Sequence, residues 1–454
     1  MVNTEDLRAR LAELAERHRI PGATVAVQRG DEIVEAAYGV LDKETGYPAT
    51  TDSIFQTGSV TKVWTATLIM QLVDEGLADL DAPVARYLPD FRVTDEAVSA
   101  AVTLRQLLCH TGGFEGDIFD DHGPGDDAVE RFVAGLSGPS RQLFTCGELW
   151  SYCNSGYVVL GRIVEVLTGL TWEAALRERI AVPLGMTELA TSPGEAIRHR
   201  VAMGHVPGPD GEPVKAPLWN MPRSNAPAGS TLTLSVRDQL RFAKMHISGG
   251  VAPDGTRVLS EESVRAMREP QAAVPGVGPL ADHWGLGWEL FDWKGGPVIG
   301  HDGGTIGQSA LLRIVPEQDV AVAILTNGGG FFGLHVLVTE LLADLAGVSV
   351  PPLPVPPDEP PTVDLRFFTG RYESVTCEAE VVQVGEALSV VVRPLGPAAA
   401  LPGEDAPNST VMVPLDARTL VALRETDGRY QTYTFLGDGD KARFLHLGRA
   451  VPRA

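Results

Sequence analysis

The segment Thr57–Trp64 holds a serine and a lysine three residues apart at the start of a predicted helix. Residues with this spacing share one face of a helix, so Lys62 can reach the Ser59 hydroxyl. At the helix N-terminus, free backbone N–H groups and the helix dipole favour a developing negative charge on Ser59. The apolar run after Lys62 would lower its pKa from about 10.4 toward the roughly 7–8 that a general base needs. The pair predicts a serine nucleophile with a lysine base, although S-x-x-K also occurs by chance at surface helix starts.

A second set of polar residues precedes another predicted helix, which spans about 155–168. Tyr152 carries a hydroxyl that could relay a proton from the nucleophile to a leaving group. Asn154, two residues later, could point the same way from an irregular loop. Trp150 is a candidate substrate contact, although a tryptophan in this position is more commonly a packing residue. A Tyr-x-Asn pattern is typical of a turn, so it indicates a catalytic role only in combination with the Ser59 motif.

The third set is Gly300–Gly304, which leads into a predicted strand. The glycines allow a close backbone approach, so the Gly304 N–H, next to Gly303, could pair with the Ser59 N–H as an oxyanion hole. His301 is expected to offer a hydrogen-bond donor to the substrate or to Tyr152. A lone histidine is more commonly a structural residue.

Strands are predicted near both ends of the first 350 residues. Thr24–Gln28 and Glu32–Tyr38 form a hairpin after an amphipathic helix over 4–19, and Ala310–Val315 and Val320–Leu325 form further strands. The segments between them are mainly helical: 60–75, 103–109, 155–168, 172–180 and 235–247. The predicted class is α/β (α+β), with one antiparallel sheet flanked by helices and an inserted all-helical subdomain.

The composition changes abruptly after residue 350. Residues 351–361 contain seven prolines and predict a semi-rigid linker. Residues 362–454 alternate in the manner of strands and predict a small all-β barrel. The sequence therefore predicts a catalytic domain over 1–350, the linker, and the barrel domain.

Bulk properties exclude several classes of function. With 44% hydrophobic and 21% charged residues, the chain is that of a folded protein, and its net charge of -22 argues against a nucleic-acid partner. The N-terminal residues alternate in charge and lack a signal peptide, and no apolar run is long enough to span a membrane. We therefore expect a cytoplasmic protein without a membrane partner. The acidic residues between 117 and 127 lack calcium-loop spacing, and no metal site is expected.

Taken together, the three motifs resemble those of the superfamily of serine β-lactamases, DD-peptidases, class C-type esterases and D-aminopeptidases. Further landmarks agree: Leu107–Gly113, Gly161–Ile163, Pro183–Met186 and Pro227–Gly229. The resemblance covers roughly residues 8–346. It implies that Ser59 is acylated, with Lys62 as its base, Tyr152 as proton shuttle, Asn154 as a substrate-amide ligand and His301 as the third-motif residue. It implies no metal or organic cofactor.

One departure from the family pattern concerns the substrate. Most penicillin-recognising members have Lys-Thr-Gly at the third motif, where the lysine helps to hold a carboxylate; here the motif is His301-Asp302-Gly303. A neutral imidazole would hold a carboxylate less tightly. We therefore expect small peptide, amide, ester or thioester substrates in preference to penicillins.

The C-terminal segment adds a second resemblance. A small barrel after a Pro-rich linker is similar to the lipocalin-like domains of some D-aminopeptidases and of penicillin-binding-protein-type thioesterases. Such a domain can cover the active site, so Arg443 or Arg449 could reach the substrate, although both could equally be surface charges. The thioesterase resemblance also implies a carrier-protein or small-molecule thioester donor.

The sequence leaves four functions open. The acyl-enzyme could be hydrolysed by water, or it could pass its acyl group to an amine or alcohol, as in peptide cyclisation or natural-product tailoring. A non-catalytic penicillin-binding-like sensor is a third possibility, although all three motifs needed for acylation are present. A periplasmic DD-carboxypeptidase is a fourth, weakened by the missing signal peptide.

Overall fold

The structure, a computed structural model, describes residues 2–276, 281–329, 331–396, 408–426 and 428–454. In chain order its helices are α1 (Thr4–Arg17), α2 (Thr61–Asp74), α3 (Glu96–Ala101), α4 (Leu104–Leu108), α5 (Ala128–Gly135), α6 (Asn154–Thr168), α7 (Trp172–Leu176), α8 (Pro193–Ala196), α9 (Val236–Ile247), α10 (Glu261–Met267) and α11 (Phe331–Ala346). In the part of the chain that the structure describes, none of these helices has the length and apolar character needed to cross a membrane.

Fourteen strands precede α11 in the described residues. They are β1 (Gly22–Arg29), β2 (Glu32–Asp42), β3 (Tyr47–Pro48), β4 (Ile54–Gln56), β5 (Leu189–Ala190), β6 (His205–Pro207), β7 (Pro213–Lys215), β8 (Thr233–Ser235), β9 (Ala272–Ala273), β10 (His283–Trp284), β11 (Glu289–Phe291), β12 (Val298–Thr305), β13 (Gln308–Val315) and β14 (Val320–Thr326). Nine of them form one antiparallel sheet in the order β3-β2-β1-β14-β13-β12-β11-β10-β9. Because β1 pairs with β14, strands from the two ends of this unit lie side by side within the sheet.

Both faces of the nine-stranded sheet are covered. One face packs on α1 and α11 through a cluster that includes Leu11, Leu311 and Leu341. The other face packs on α2, α6 and α9 through a larger cluster that includes Trp64 and Leu312. Leu311 and Leu312 are adjacent in β13 and belong to different clusters, because successive side chains of a strand point to opposite faces.

The C-terminal residues form a separate eight-stranded sheet. Its strands are β15 (Gly370–Glu373), β16 (Cys377–Val384), β17 (Ala387–Pro394), β18 (Asn408–Pro414), β19 (Thr419–Thr426), β20 (Arg429–Leu436), β21 (Phe444–His446) and β22 (Ala450–Pro452), and they follow one another in chain order. A bridge between Tyr372 and Arg453 joins the first strand to the end of the last, so the sheet is a nearly closed barrel. Residues 351–361 contain no helix or strand, which supports the proposed linker.

The predicted fold class is confirmed, including the barrel. The region between the outer strands is less uniformly helical than predicted, because it also holds the three-stranded sheet β4-β8-β5 and the hairpin β6-β7. The helix predicted over 172–180 ends at Leu176 and continues as a wider turn over Arg177–Ala181. One of these differences adjoins the first motif, because β4 ends at Gln56, immediately before Thr57.

Candidate active site

Ser59 lies in a tight turn, Gly58–Val60, that runs directly into α2. Gly58 has a φ of 51°, and a Cβ there would lie 2.5 Å from the Gly304 nitrogen. Only a glycine combines this left-handed conformation with so close a backbone approach. The turn therefore packs directly on β12, the strand that carries the third motif.

Lys62 lies one turn further along the helix, with its side chain completely buried. Its Nζ is 3.0 Å from Ser59 Oγ and donates a hydrogen bond to the Ala228 carbonyl at 2.6 Å. Burial, and then the positive charge of Arg449, hold the pKa of Lys62 well below its ordinary value. A neutral amine that gives one hydrogen to Ala228 keeps a lone pair for the Ser59 hydroxyl.

Tyr152 lies beside this pair. Lys62 Nζ is 4.8 Å from the centroid of the tyrosine ring, and the phenol oxygen is buried. Burial raises the pKa of Tyr152 above its ordinary value, and interaction with the Ser59 hydroxyl opposes the shift only in part. Tyr152 is therefore a neutral phenol at physiological pH, suited to relaying a proton but not to acting as the initial base.

The segment around Tyr152 is held by residues from two distant parts of the chain. The His110 carbonyl accepts the Ser151 N–H at 2.9 Å, and His110 Nδ1 accepts the Cys153 N–H at 3.0 Å. From the barrel, the Gly448 carbonyl accepts the Tyr152 N–H at 3.1 Å. His110 has a φ of 60°, which is unusual for a residue other than glycine and fits its role in bracing this turn.

His301 is buried on β12, and its ring lies 6.4 Å from that of Tyr152, measured between centroids. Its Nδ1 is 2.6 Å from the Asp302 carbonyl oxygen, which can only accept, so Nδ1 carries a hydrogen. Burial, with the nearby Lys62 charge, lowers the pKa of His301 to about 3. Its Nε2 is consequently an acceptor at neutral pH. The expectation that His301 offers a donor is therefore wrong.

The third-motif glycines bring β12 against the nucleophile turn. A Cβ on Gly303 would lie 2.0 Å from the Thr57 oxygen and 2.9 Å from the Ser59 nitrogen. A Cβ on Gly304 would meet nothing nearer than 4.0 Å. Gly303 provides the close approach, and Gly304 presents its main chain at the cavity.

Arg449 comes from the turn between β21 and β22 of the barrel and reaches the same site. Its Nε and Nη2 bind the carboxylate of Asp117, the second at 3.2 Å, and its guanidinium lies 4.9 Å from the Tyr152 ring centroid. The Asn154 amide donates to the same carboxylate at 2.6 Å. Asn154 is thus oriented by Asp117, and the sequence alone did not distinguish Asp117 from its acidic neighbours.

A cavity of about 400 Å³ joins these groups. It is lined by Ser59, Trp150, Tyr152, Trp284, Glu289, His301, Asp302, Gly303, Gly304, Leu447, Gly448 and Arg449. Of these, Trp284, Glu289 and Leu447 belong to none of the three sequence motifs. A larger cavity of about 720 Å³, between residues 171–178 and 218–223, is lined by none of the predicted catalytic side chains.

The described residues contain no cluster of three or more histidine, cysteine or acidic side chains placed to hold a metal ion. The cysteine beside Tyr152 is also unsuited to nucleophilic chemistry, because burial raises the pKa of Cys153 to about 12. Ser59 is the residue of this cavity that combines a nucleophilic oxygen with an adjacent base.

Comparison with known proteins gives a consistent result. Residues 7–346 match the family described as Beta-lactamase. Penicillin-binding protein 4 of Amycolatopsis lactamdurans is 47% identical over 367 residues, which cover 80% of this chain and 96% of that protein. Unguisins hydrolase ungD' of Aspergillus campestris is 28% identical over 344 residues, covering 71% of this chain and 61% of that protein. Among solved structures, SurE is 30% identical, with a TM-score of 0.78 and 99% of both chains covered.

The chain belongs to the Beta-lactamase family. The resemblance inferred from the three motifs is thereby confirmed, and the family is one of serine hydrolases that act on small-molecule or peptide substrates. The SurE alignment extends beyond the matched family region and includes the C-terminal barrel.

Proposed function

We propose that this protein is a serine hydrolase or acyltransferase that works through an acyl-enzyme on Ser59, with small peptides, amides, esters or thioesters as substrates. The observation that carries the proposal is the buried Lys62 amine 3.0 Å from Ser59 Oγ, with its pKa lowered. A lysine in this state can remove the serine proton near neutral pH, which an ordinary surface lysine cannot.

The first half-reaction begins with that proton transfer. Lys62 Nζ takes the hydrogen of the Ser59 hydroxyl while the serine oxygen bonds to the substrate carbonyl carbon. The carbonyl oxygen becomes negative between the N–H groups of Ser59 and Gly304, as in other oxyanion holes. The close packing of Gly58 on Gly304 brings the two main-chain segments together.

Collapse of the tetrahedral intermediate requires a proton on the leaving group. The proton held by Lys62 can pass through the Tyr152 hydroxyl, which gives its own hydrogen to the departing oxygen, nitrogen or sulfur and is replenished by Lys62. Burial keeps the pKa of Tyr152 above its ordinary value, so the phenol remains neutral while the relay operates.

The charges around the cavity indicate where a substrate carboxylate would bind. Lysine is missing from the third motif, whereas Arg449 brings a guanidinium whose Nη1 is not used in its pairing with Asp117. We propose that Arg449 binds a carboxylate or carbonyl of the substrate. The structure of SurE with D-Leu, 29% identical over 99% of both chains, supports a substrate with a D-configured residue.

A labelling experiment tests the nucleophile. A fluorophosphonate or an activated ester should add mass to one peptide that contains Ser59 and should add none to Ser59→Ala. Cys153→Ala is the matched control, because it removes the buried thiol next to Tyr152 and should label as wild type does. Labelling that persists in Ser59→Ala would exclude the proposal.

A second candidate is transfer of the acyl group to an amine, including intramolecular peptide cyclisation from a carrier-protein or small-molecule thioester. It is favoured by the barrel turn, because Leu447, Gly448 and Arg449 line the cavity beside Ser59, where such a cover would limit the competition of water with an amine. Mass spectrometry of products formed from a small-molecule thioester with an amine present distinguishes the two. Amide product supports transfer, and free acid alone excludes it.

A further inference from the structure

Glu289, the first residue of β11, lines the active-site cavity and has no part in the steps above. Its side chain is buried, and Oε1 accepts the Asp302 N–H at 3.2 Å. The other oxygen, Oε2, is buried and has no hydrogen-bond partner among the described residues. Arg313 Nη1 lies 3.6 Å from Oε2, which is beyond hydrogen-bond range.

The nearby arginine is already used by another carboxylate. Arg313 Nη1 is 2.7 Å from Asp302 Oδ1 and, against the effect of burial, holds the pKa of Asp302 well below its usual range. Burial, together with the negative charge of Asp302, raises the pKa of Glu289 to about 8. Arg313 is thus a single buried cation beside two carboxyl groups, and its positive charge does not fully neutralise that of Glu289.

The ring of His301 lies beside Glu289 and carries a second buried acceptor on its far side. His301 Nδ1 is 3.7 Å from Glu289 Oε1, and the opposite ring nitrogen, Nε2, is also buried without a described hydrogen-bond partner. His301 and Glu289 line the same cavity. A buried acceptor left unpaired is destabilising, so Glu289 Oε2 and His301 Nε2 both favour a ligand that brings hydrogen-bond donors.

We propose that Glu289 and His301 form a donor-selective subsite, which binds an amide or amine N–H group of the leaving group or of the acyl acceptor. This inference rests on the proposed acyl-enzyme function and names the chemistry of its substrate. Glu289 is the specificity-determining residue: in its ionised form it accepts from N–H donors and repels a substrate carboxylate, which binds on the Arg449 side instead.

Two ester substrates with a common acyl group test the subsite. Their leaving alcohols, glycolamide and hydroxyacetone, differ only in an NH₂ against a CH₃ group. At pH 9 the wild type should favour the glycolamide ester about tenfold in kcat/KM, after correction for the rates of alkaline hydrolysis. At pH 6.5 the preference should shrink, because protonated Glu289 presents a donor; His301 stays neutral throughout.

The other charged and titratable groups around Glu289 affect the reactions of both esters equally, so their effects cancel in the ratio of the two kcat/KM values. These groups are His301, Asp302, Arg313, Lys62 and Arg449. In Glu289→Gln the side-chain NH₂ replaces Oε2, so the preference and its pH dependence should both disappear. Glu262→Gln, on the exposed first turn of α10, is the matched control and should behave as wild type.

A wild-type ratio near one, or a ratio unchanged in Glu289→Gln, would overturn the inference. Failure of the proposed function gives a different result: neither ester adds mass to Ser59. Binding of both esters to Ser59→Ala, measured by calorimetry, then tests the subsite independently, since tighter binding of the glycolamide ester requires no chemistry.

Discussion

Replacing Arg449 by glutamine should raise the pKa of Lys62. The two cations lie over the same ring, with Lys62 Nζ 4.8 Å and Arg449 Cζ 4.9 Å from the Tyr152 centroid, so they are less than about 10 Å apart. At an effective dielectric constant of about 20, charges at that distance repel by roughly 1.7 kcal/mol, or about 1.2 pKa units. The Arg449 side chain is 39% exposed, so solvent screening reduces the expected shift to about 0.5–1 unit.

The direction in which the pH profile moves follows from the role of Lys62 as the base. Removing a neighbouring positive charge favours the protonated amine, so the neutral base becomes available only at higher pH. The acidic limb of the pH profile of acylation should therefore move upward by about 0.5–1 pH unit. The rate constant for acylation by p-nitrophenyl acetate, measured by stopped flow as kcat/KM across the profile, reports this limb for the free enzyme.

Arg443→Gln is the matched control for this experiment. Arg443 belongs to the same barrel and pairs with Glu148 of the catalytic domain at 2.7 Å, but it does not line the cavity. Its profile should superimpose on that of the wild type. In Arg449→Gln the acidic limb could instead stay in place or move to lower pH. Either result would refute the assignment of Lys62 as a base whose pKa is lowered by the charge of Arg449.

Three further predictions follow from local geometry. Gly303→Ala should lower the acylation rate at least about 100-fold and lower the Tm, because the new Cβ would collide with the turn that carries Ser59. Gly304→Ala should keep the wild-type Tm; burst kinetics measure the acylation rate, and thermal unfolding measures the Tm. His110→Ala should lower the free energy of unfolding by about 2–4 kcal/mol in urea titrations, because alanine is strained in the left-handed conformation and the buried Cys153 N–H loses its acceptor. In His110→Asn, asparagine tolerates that conformation and should restore part of the loss, so equal losses in the two variants would contradict this explanation. Lys62→Met and Ser59→Ala should each abolish measurable acylation, and the double variant should be no slower than either single one, as expected for residues that act as a unit.

The sequence by itself determined the parts of the site that depend on short-range geometry. Ser59 and Lys62 are one helical turn apart, so their contact follows from the spacing once the helix is predicted. The alternating strands at the two ends and the Pro-rich break gave the fold class, because sheet periodicity and proline content are local signals. The family motifs then indicated Tyr152 and His301.

Only the tertiary structure decided the groups that control charge and specificity. Asp117 and Arg449 are 332 residues apart, and no periodicity could pair them before the barrel had docked on the catalytic domain. The direction of the His301 hydrogen bond depends on which backbone carbonyl its Nδ1 meets, so the sequence could not show that Nε2 is an acceptor. Glu289 carried no motif, and its importance comes from burial beside one arginine shared by two carboxyl groups. Burial, tautomer and shared charge are properties of the folded packing, and spacing along the chain does not encode them.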